Sequence, residues 1–214
     1  MRAAAMPRSP HFLTSARTEL HPFADEDGPE LLHLFRDPDV RNFLLDDRLV
    51  SPAWMQQEIG ESDRRFRRHG AGAWSVRLPG DDEIIGFVAF REFANPPELQ
   101  LLYGFLPAHW GKGYAAEVTT RVCEHAFTDL GLDEITAVTD LPNTASAKLL
   151  QRLGMELMEV RPDGAAGTAH YAITRQAWRE RQRVAATTKS PTRFSDAPSR
   201  SAQPPGDRED DTVG

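Results

Sequence analysis

Between Leu99 and Leu153 the apolar positions change period repeatedly, and each change marks a new element. Leu99-Gln100-Leu101-Leu102-Tyr103-Gly104-Phe105 is a nearly continuous apolar run of strand length, and Pro107 closes it because proline has no N–H for the ladder. Ala115, Val118, Val122, Ala126 and Leu130 then recur at three- to four-residue spacing, one face of a helix, with Gly131 as its stop. Glu134 to Thr139 is rich in β-branched residues and reads as a second strand. Asn143-Thr144-Ala145-Ser146 opens a second helix, whose inward positions Leu149, Leu150 and Leu153 run to Gly154.

The flanking chain is organised around this unit. Phe12 to Leu20 is expected to be one strand, and Asp25 begins a helical stretch with Leu31, Leu32, Leu34 and Phe35 inward, stopped at Asp37-Pro38. Ser51-Pro52 starts a helix bearing Met55, Ile59 and Phe66, and Arg64, Arg65, Arg67 and Arg68 at its end read as a solvated cationic terminus. Ala73–Leu78 and Glu83–Phe90 form a hairpin around Pro79-Gly80-Asp81-Asp82. Met155–Val160 and His170–Ile173 form another around Asp163 to Gly167. The order β α α β β β α β α β β is that of an α+β fold, a mixed sheet with helices packed on it. Residues 1–11 are expected to be a loose lead-in, 12–178 the folded domain, and 184–214, rich in Pro, Ser and charge, a disordered tail.

Composition narrows the classes of function. The 214 residues suit one domain, and no apolar run is long enough to cross a bilayer or to serve as a secretory signal, so a cytoplasmic protein is expected. A net charge of −7 offers no general attraction to nucleic acid or anionic lipid. The single cysteine, Cys123, excludes an internal disulfide, and the seven histidines show no paired metal spacing, so no metal is expected.

The chemistry concentrates in the turn between the first strand and helix of the central unit. In Leu106-Pro107-Ala108-His109-Trp110-Gly111-Lys112-Gly113-Tyr114-Ala115 two glycines let the backbone approach a ligand, and the first amides of the helix that follows carry partial positive charge: a phosphate cradle. Gly111-x-Gly113-x-x-Ala116 also satisfies the loose dinucleotide pattern, with Asp140 at the end of the next strand, a remote alternative.

Trp110-Gly111-Lys112-Gly113-Tyr114-Ala115-x-Glu117, then Asn143-x-x-Ser146, then Leu153-Gly154-Met155, resembles the acyl-CoA-binding core of the GNAT N-acetyltransferases, most of all the branch that includes the ribosomal-protein alanine acetyltransferases. Over about residues 12 to 175 the resemblance implies the GNAT fold, with six to seven strands flanked by about four helices. It implies acetyl-CoA as co-substrate, held through Phe105, Leu106, Trp110, Gly111, Lys112, Gly113, Tyr114, Ala115, Asn143 and Ser146. Trp110 stands where the family usually has Gln or Arg. The acetyl group would pass directly to a primary amine, a protein N-terminus or a small molecule. A catalytically silent cofactor-binding protein is the alternative, and either a monomer or a homodimer fits.

Ser146 lies on the inward face of its helix, and the family pattern makes it the acid for the departing thiolate, with Tyr103 as the alternative donor. A backbone hydrogen bond in the first turn would equally occupy its hydroxyl. Asn143 is expected to cap that helix. Glu98 is the candidate general base. Asp46 and Asp47 fall where the family builds its acceptor pocket, and their charge suits a cationic amine. His109 is read as exposed loop.

Overall fold

The computed structural model describes residues 10–93, 98–163 and 166–189. Its strands are β1 (Leu13–Thr14), β2 (Glu19–Pro22), β3 (Ala73–Arg77), β4 (Gly86–Phe93), β5 (Glu98–Phe105), β6 (Glu134–Asp140), β7 (Glu156–Arg161) and β8 (Thr168–Thr174). Its helices are α1 (Gly28–Arg36), α2 (Pro38–Arg41), α3 (Pro52–His69), α4 (Tyr114–Thr128), α5 (Thr144–Leu153) and α6 (Arg175–Lys189). The strands make one sheet in the order β1-β2-β3-β4-β5-β6-β8-β7.

The mixed α+β fold expected from the pattern is present, with eight strands among the described residues instead of six to seven and six helices instead of about four. The extra strand arises because Phe12–Leu20 is not one strand. Ser15 N–H donates to the Thr18 carbonyl at 2.9 Å and folds the segment into the β1/β2 hairpin. Two helices were also missed. Asp37 accepts from the amides of Asp39 and Val40 and starts the short α2 immediately after α1, while α6 runs to Lys189, into the segment from 184 expected to be a tail. Residues 190–214 and 1–9 lie outside the described residues. Trp178 anchors α6, buried against Phe127 with ring centroids 5.7 Å apart. The lead-in is fixed by its last residue, since His11 stacks on Phe66 and its carbonyl accepts from Trp74 Nε1 at 2.7 Å.

The sheet is covered on both faces over its central strands. β4 alternates between the layers: Phe87 and Ala89 meet Leu31, Leu34, Phe35 and Met55 from α1 and α3, while Val88 and Phe90 meet Val118, Val122 and Phe127 from α4. Helix starts follow the sequence. Ser51 Oγ accepts from Trp54 N–H at 3.1 Å, and Asn143 Oδ1 accepts from Ser146 N–H at 3.0 Å. Cys123 is buried in α4, and burial pushes its thiol up to about 12. The arginines at the end of α3 are not all solvated. Arg65 is buried and donates to Glu58 at 2.7 Å, while Arg64 and Arg67 pair with Glu61 and Asp63 along the helix.

All pairings among the described strands are antiparallel except β5 with β6. A doubly wound parallel sheet, which the dinucleotide alternative requires, is therefore a different topology. The β5/β6 ladder holds one register pair, Gln100 opposite Thr136, so the strands part towards Phe105 and Asp140. That parting positions the site.

Candidate active site

The turn from β5 into α4 has the geometry of an anion cradle. Gly111 and Gly113 sit at φ 70° and 83°, the left-handed region, and Gly113 is the N-cap of α4. No side chain caps the helix, and its first described intrahelical bond runs from Glu117 N–H to the Gly113 carbonyl, at 3.1 Å. The amides of Tyr114, Ala115 and Ala116 thus face outward at the positive end of a 15-residue helix. A Cβ at Gly111 would meet nothing within 4 Å, so the backbone angle, not crowding, requires glycine there.

Sequence reasoning missed the clamp that holds this turn. Arg17, in the β1/β2 connection, donates from its backbone N to Glu117 Oε1 at 2.6 Å and from Nε to Oε2 at 2.7 Å. Its Nη1 reaches the Lys112 carbonyl at 3.1 Å, and the guanidinium lies 4.8 Å from the Tyr114 ring centroid. Ser15 also donates to Glu117. Partial burial resists ionisation of Glu117, and the bonds from Ser15 and Arg17 outweigh it, so the carboxyl sits below the ordinary glutamate range.

The other loop residues are arranged around the backbone. Trp110 is half-exposed, and its Nε1 donates to the Phe105 carbonyl at 2.6 Å, fastening the turn to the end of β5. The Phe105 side chain points into the core, and Leu106 N–H is taken by the Ile85 carbonyl at 3.0 Å, which leaves neither group facing the cradle. Lys112 is exposed. His109 is only half-buried, beside the Tyr114 ring, rather than fully exposed.

Register decides which amides face the gap. Phe90 N–H donates towards Gly72 on the β3 side of β4, so Phe87, Ala89 and Arg91 exchange bonds with Gly104, Leu102 and Gln100. The alternating N–H groups of Leu101, Tyr103 and Phe105 then point at β6. Beyond the single pair at Gln100 no register partner meets those of Tyr103 and Phe105.

Two hydroxyls meet beside that gap. Tyr103 Oη lies 2.7 Å from Ser146 Oγ and 3.5 Å from the Ser146 carbonyl. The Ser146 hydroxyl therefore bonds a side chain 43 positions away instead of a carbonyl in its own first turn. Burial pushes the Tyr103 phenol up to about 12, against the opposing effects of Ser146 and Arg152, so it stays protonated at neutral pH.

On the opposite face of β5, Leu102 lines a small cavity of about 10 Å³ with Phe35, Leu44, Leu45 and Phe87. Glu58, paired with Arg65 and with Arg91 at 3.2 Å, forms its polar side, a group that sequence reasoning did not find. The turn Leu45–Asp47 borders it, with Leu45 and Asp47 at φ 54° and 56°. Asp47 is exposed and pairs with Arg41 at 3.1 Å, so its charge is engaged within the turn. The side chains of Asp46 and Glu98 lie outside the described residues.

The Acetyltransferase (GNAT) domain family matches residues 17–156 of this chain. The chain is 27% identical over 198 residues to the FsC-acetyl coenzyme A-N(2)-transacetylase of Aspergillus fumigatus, covering 82% of this chain and 81% of that one. It is 26% identical over 145 residues to the uncharacterized N-acetyltransferase YoaA of Bacillus subtilis, covering 67% and 82%. Among solved structures, an acetyltransferase from Agrobacterium tumefaciens superposes with TM-score 0.67 at 22% identity over 81% of this chain and 99% of that one. The ribosomal L7/L12 α-N-protein acetyltransferase RimL, in complex with coenzyme A, superposes with TM-score 0.66 at 14% identity over 76% and 97%.

Proposed function

Because this chain belongs to the acetyltransferase (GNAT) domain family, we propose that it transfers the acetyl group of acetyl-CoA directly to a primary amine. The observation that carries the proposal is the Tyr103–Ser146 hydroxyl pair beside the parted strands β5 and β6, one helix-start away from the cradle of α4.

The residues fit the co-substrate. The open amides of Tyr114 to Ala116 suit a diphosphate, and the gap, with the Tyr103 and Phe105 amides turned into it, suits a peptide-like pantetheine arm. The co-substrate supplies an activated thioester, and the chain's own groups do the rest. The Tyr103 N–H, fixed by the β4/β5 ladder, serves as a preorganised donor to the carbonyl oxygen as it becomes negative. The amine nitrogen forms the new C–N bond and gives up its proton to water, the C–S bond breaks, Ser146 Oγ–H protonates the departing sulfur, Tyr103 Oη–H replenishes Ser146, and water returns a proton to the Tyr103 oxygen. No covalent enzyme intermediate is needed.

Leu102 and Tyr103 are neighbours on opposite faces of one strand, so the acceptor approaches from the Leu102 face while the thioester lies on the Tyr103 side. The rise along a strand sets Glu98 about 13 Å from Leu102, too far to take a proton directly from an amine there, so the amine's proton leaves to water. The acceptor is a protein N-terminus or a small-molecule amine. Incubation with acetyl-CoA and a panel of N-terminal peptides, polyamines and amino-acid amides, following free thiol together with product mass, tests the proposal. Amine-dependent thiol release with an acetylated product is expected. Tight coenzyme A binding with no turnover on any amine would favour the catalytically silent alternative.

A further inference from the structure

Among the described residues, strand β7 is the last strand of the sheet, bonded to β8 on one side only, and all six of its residues are exposed. Leu157, Met158 and Val160 keep 52%, 65% and 53% of their surface. An edge strand presents a row of main-chain donors and acceptors to solvent, and proteins commonly blunt such an edge with proline, a bulge or charged side chains, lysine above all. β7 has no proline or lysine, its register shift at Met158 is against β8, and its charges are of both signs.

The register with β8 assigns each side chain a face. Leu157 lies opposite Tyr171 and Val160 opposite Ala169, both core residues, whereas Glu156, Glu159 and Arg161 lie opposite Ala172, His170 and Thr168 on the other face. A one-residue register shift at Met158 is what allows Leu157 and Val160 to share a face. The bond from Arg161 Nε to Glu159 Oε2, 2.8 Å, agrees with that assignment. The edge is therefore apolar on the side of the helix layer and charged on the other.

Glu156-Leu-Met-Glu-Val-Arg161 is also complementary to itself when read antiparallel. A two-fold axis between Met158 and Glu159, perpendicular to the sheet, sets Glu156 opposite Arg161 of a second copy and Leu157 opposite Val160, like face to like face, with the shifted Met158 beside Glu159 at the axis. We propose that β7 is a dimerisation edge, at which two copies of this chain pair antiparallel and join their eight-stranded sheets into one. One strand supplies both halves of each match, which favours a second copy over an unrelated partner. Six residues per strand make a small interface, so the dimer is reversible and depends on concentration.

Sedimentation velocity of the full chain over a wide concentration range tests this, with melting temperatures confirming that every variant folds. A monomer–dimer equilibrium is expected. Val160→Lys should abolish it. Glu156→Arg alone, or Arg161→Glu alone, places like charges opposite each other twice per dimer and should raise the dissociation constant about tenfold or more, while the double exchange restores it. Rescue by the double exchange is a result that a general loss of stability would not give. A monomer at every concentration, or a dimer indifferent to these changes, overturns the proposal. So would a monomer with β7 amides protected from hydrogen exchange, which would place residues beyond Lys189 of the same chain on the edge.

Discussion

Arg17 and Glu117 stand 100 positions apart in sequence and share two hydrogen bonds, from the Arg17 backbone N at 2.6 Å and from its Nε at 2.7 Å. The third contact of Arg17, to the Lys112 carbonyl, ties the β1/β2 hairpin to the glycine turn, so a feature of the sheet's first edge sets the shape of the cradle. Arg17→Ala should weaken coenzyme A binding by about tenfold while the melting temperature moves little, because the side chain is half-exposed and the pair is partly screened. Calorimetric titration of the variant checks this, and an unchanged affinity would remove the clamp from cofactor binding.

The same carboxylate gives a pH dependence with a definite sign. The carboxyl of Glu117 is lowered from 4.5 in the folded chain, so its contribution to stability is complete above that value and is lost as pH falls below it through the folded value. Wild type and Glu117→Gln should therefore differ most in melting temperature near neutrality and converge in acid. A gap that widened on acidification would contradict the assignment.

Gly113 separates geometry from charge. At φ 83°, Gly113→Ala should cost about 1 to 2 kcal/mol of stability through backbone strain alone and weaken cofactor binding modestly. Gly113→Glu adds a like charge at the mouth of the cradle and should lose binding far beyond its effect on melting temperature.

The two hydroxyls act as a unit in the proposed mechanism. Ser146→Ala and Tyr103→Phe should each lower kcat by about 10² to 10⁴ with little change in KM for acetyl-CoA, and the double variant should be no worse than the more damaging single one. Since the phenol is pushed up to about 12, the rate should rise with pH as the amine deprotonates and show no fall through the ordinary tyrosine range. Additive losses in the double variant would show that the pair does not share one proton path.

α6 provides a test of where the folded domain ends. Trp178→Ala removes a buried anchor and should cost about 3 to 5 kcal/mol, measurable by urea unfolding. A loss below about 1 kcal/mol would mean that α6 contributes nothing to the domain.

What could be read from the chain was local. Ser51 and Asn143 announce helix starts because a cap bonds an amide three residues on, and Gly113 announces a positive φ because few other residues accept one. The β1/β2 turn carries no glycine, proline or asparagine to mark it, and Ser15 and Thr18 look like strand residues until their mutual bonds close the turn. α6 was underread for a related reason. Its sequence is mostly polar, and Trp178 is its deeply buried anchor, so the apolar period that signals a helix is absent. The clamp from Arg17 to Glu117 and the bond from Tyr103 to Ser146 join residues 100 and 43 positions apart, and no spacing rule links positions that only the sheet brings together.

Titration calorimetry of coenzyme A into wild type and Gly113→Glu, each with its melting temperature recorded, bears most directly on the account. Wild type should bind with a measurable heat and one-to-one stoichiometry, and Gly113→Glu should give none while remaining folded. No heat with wild type, or equal affinity in the two proteins, would contradict a cradle at the N-terminus of α4.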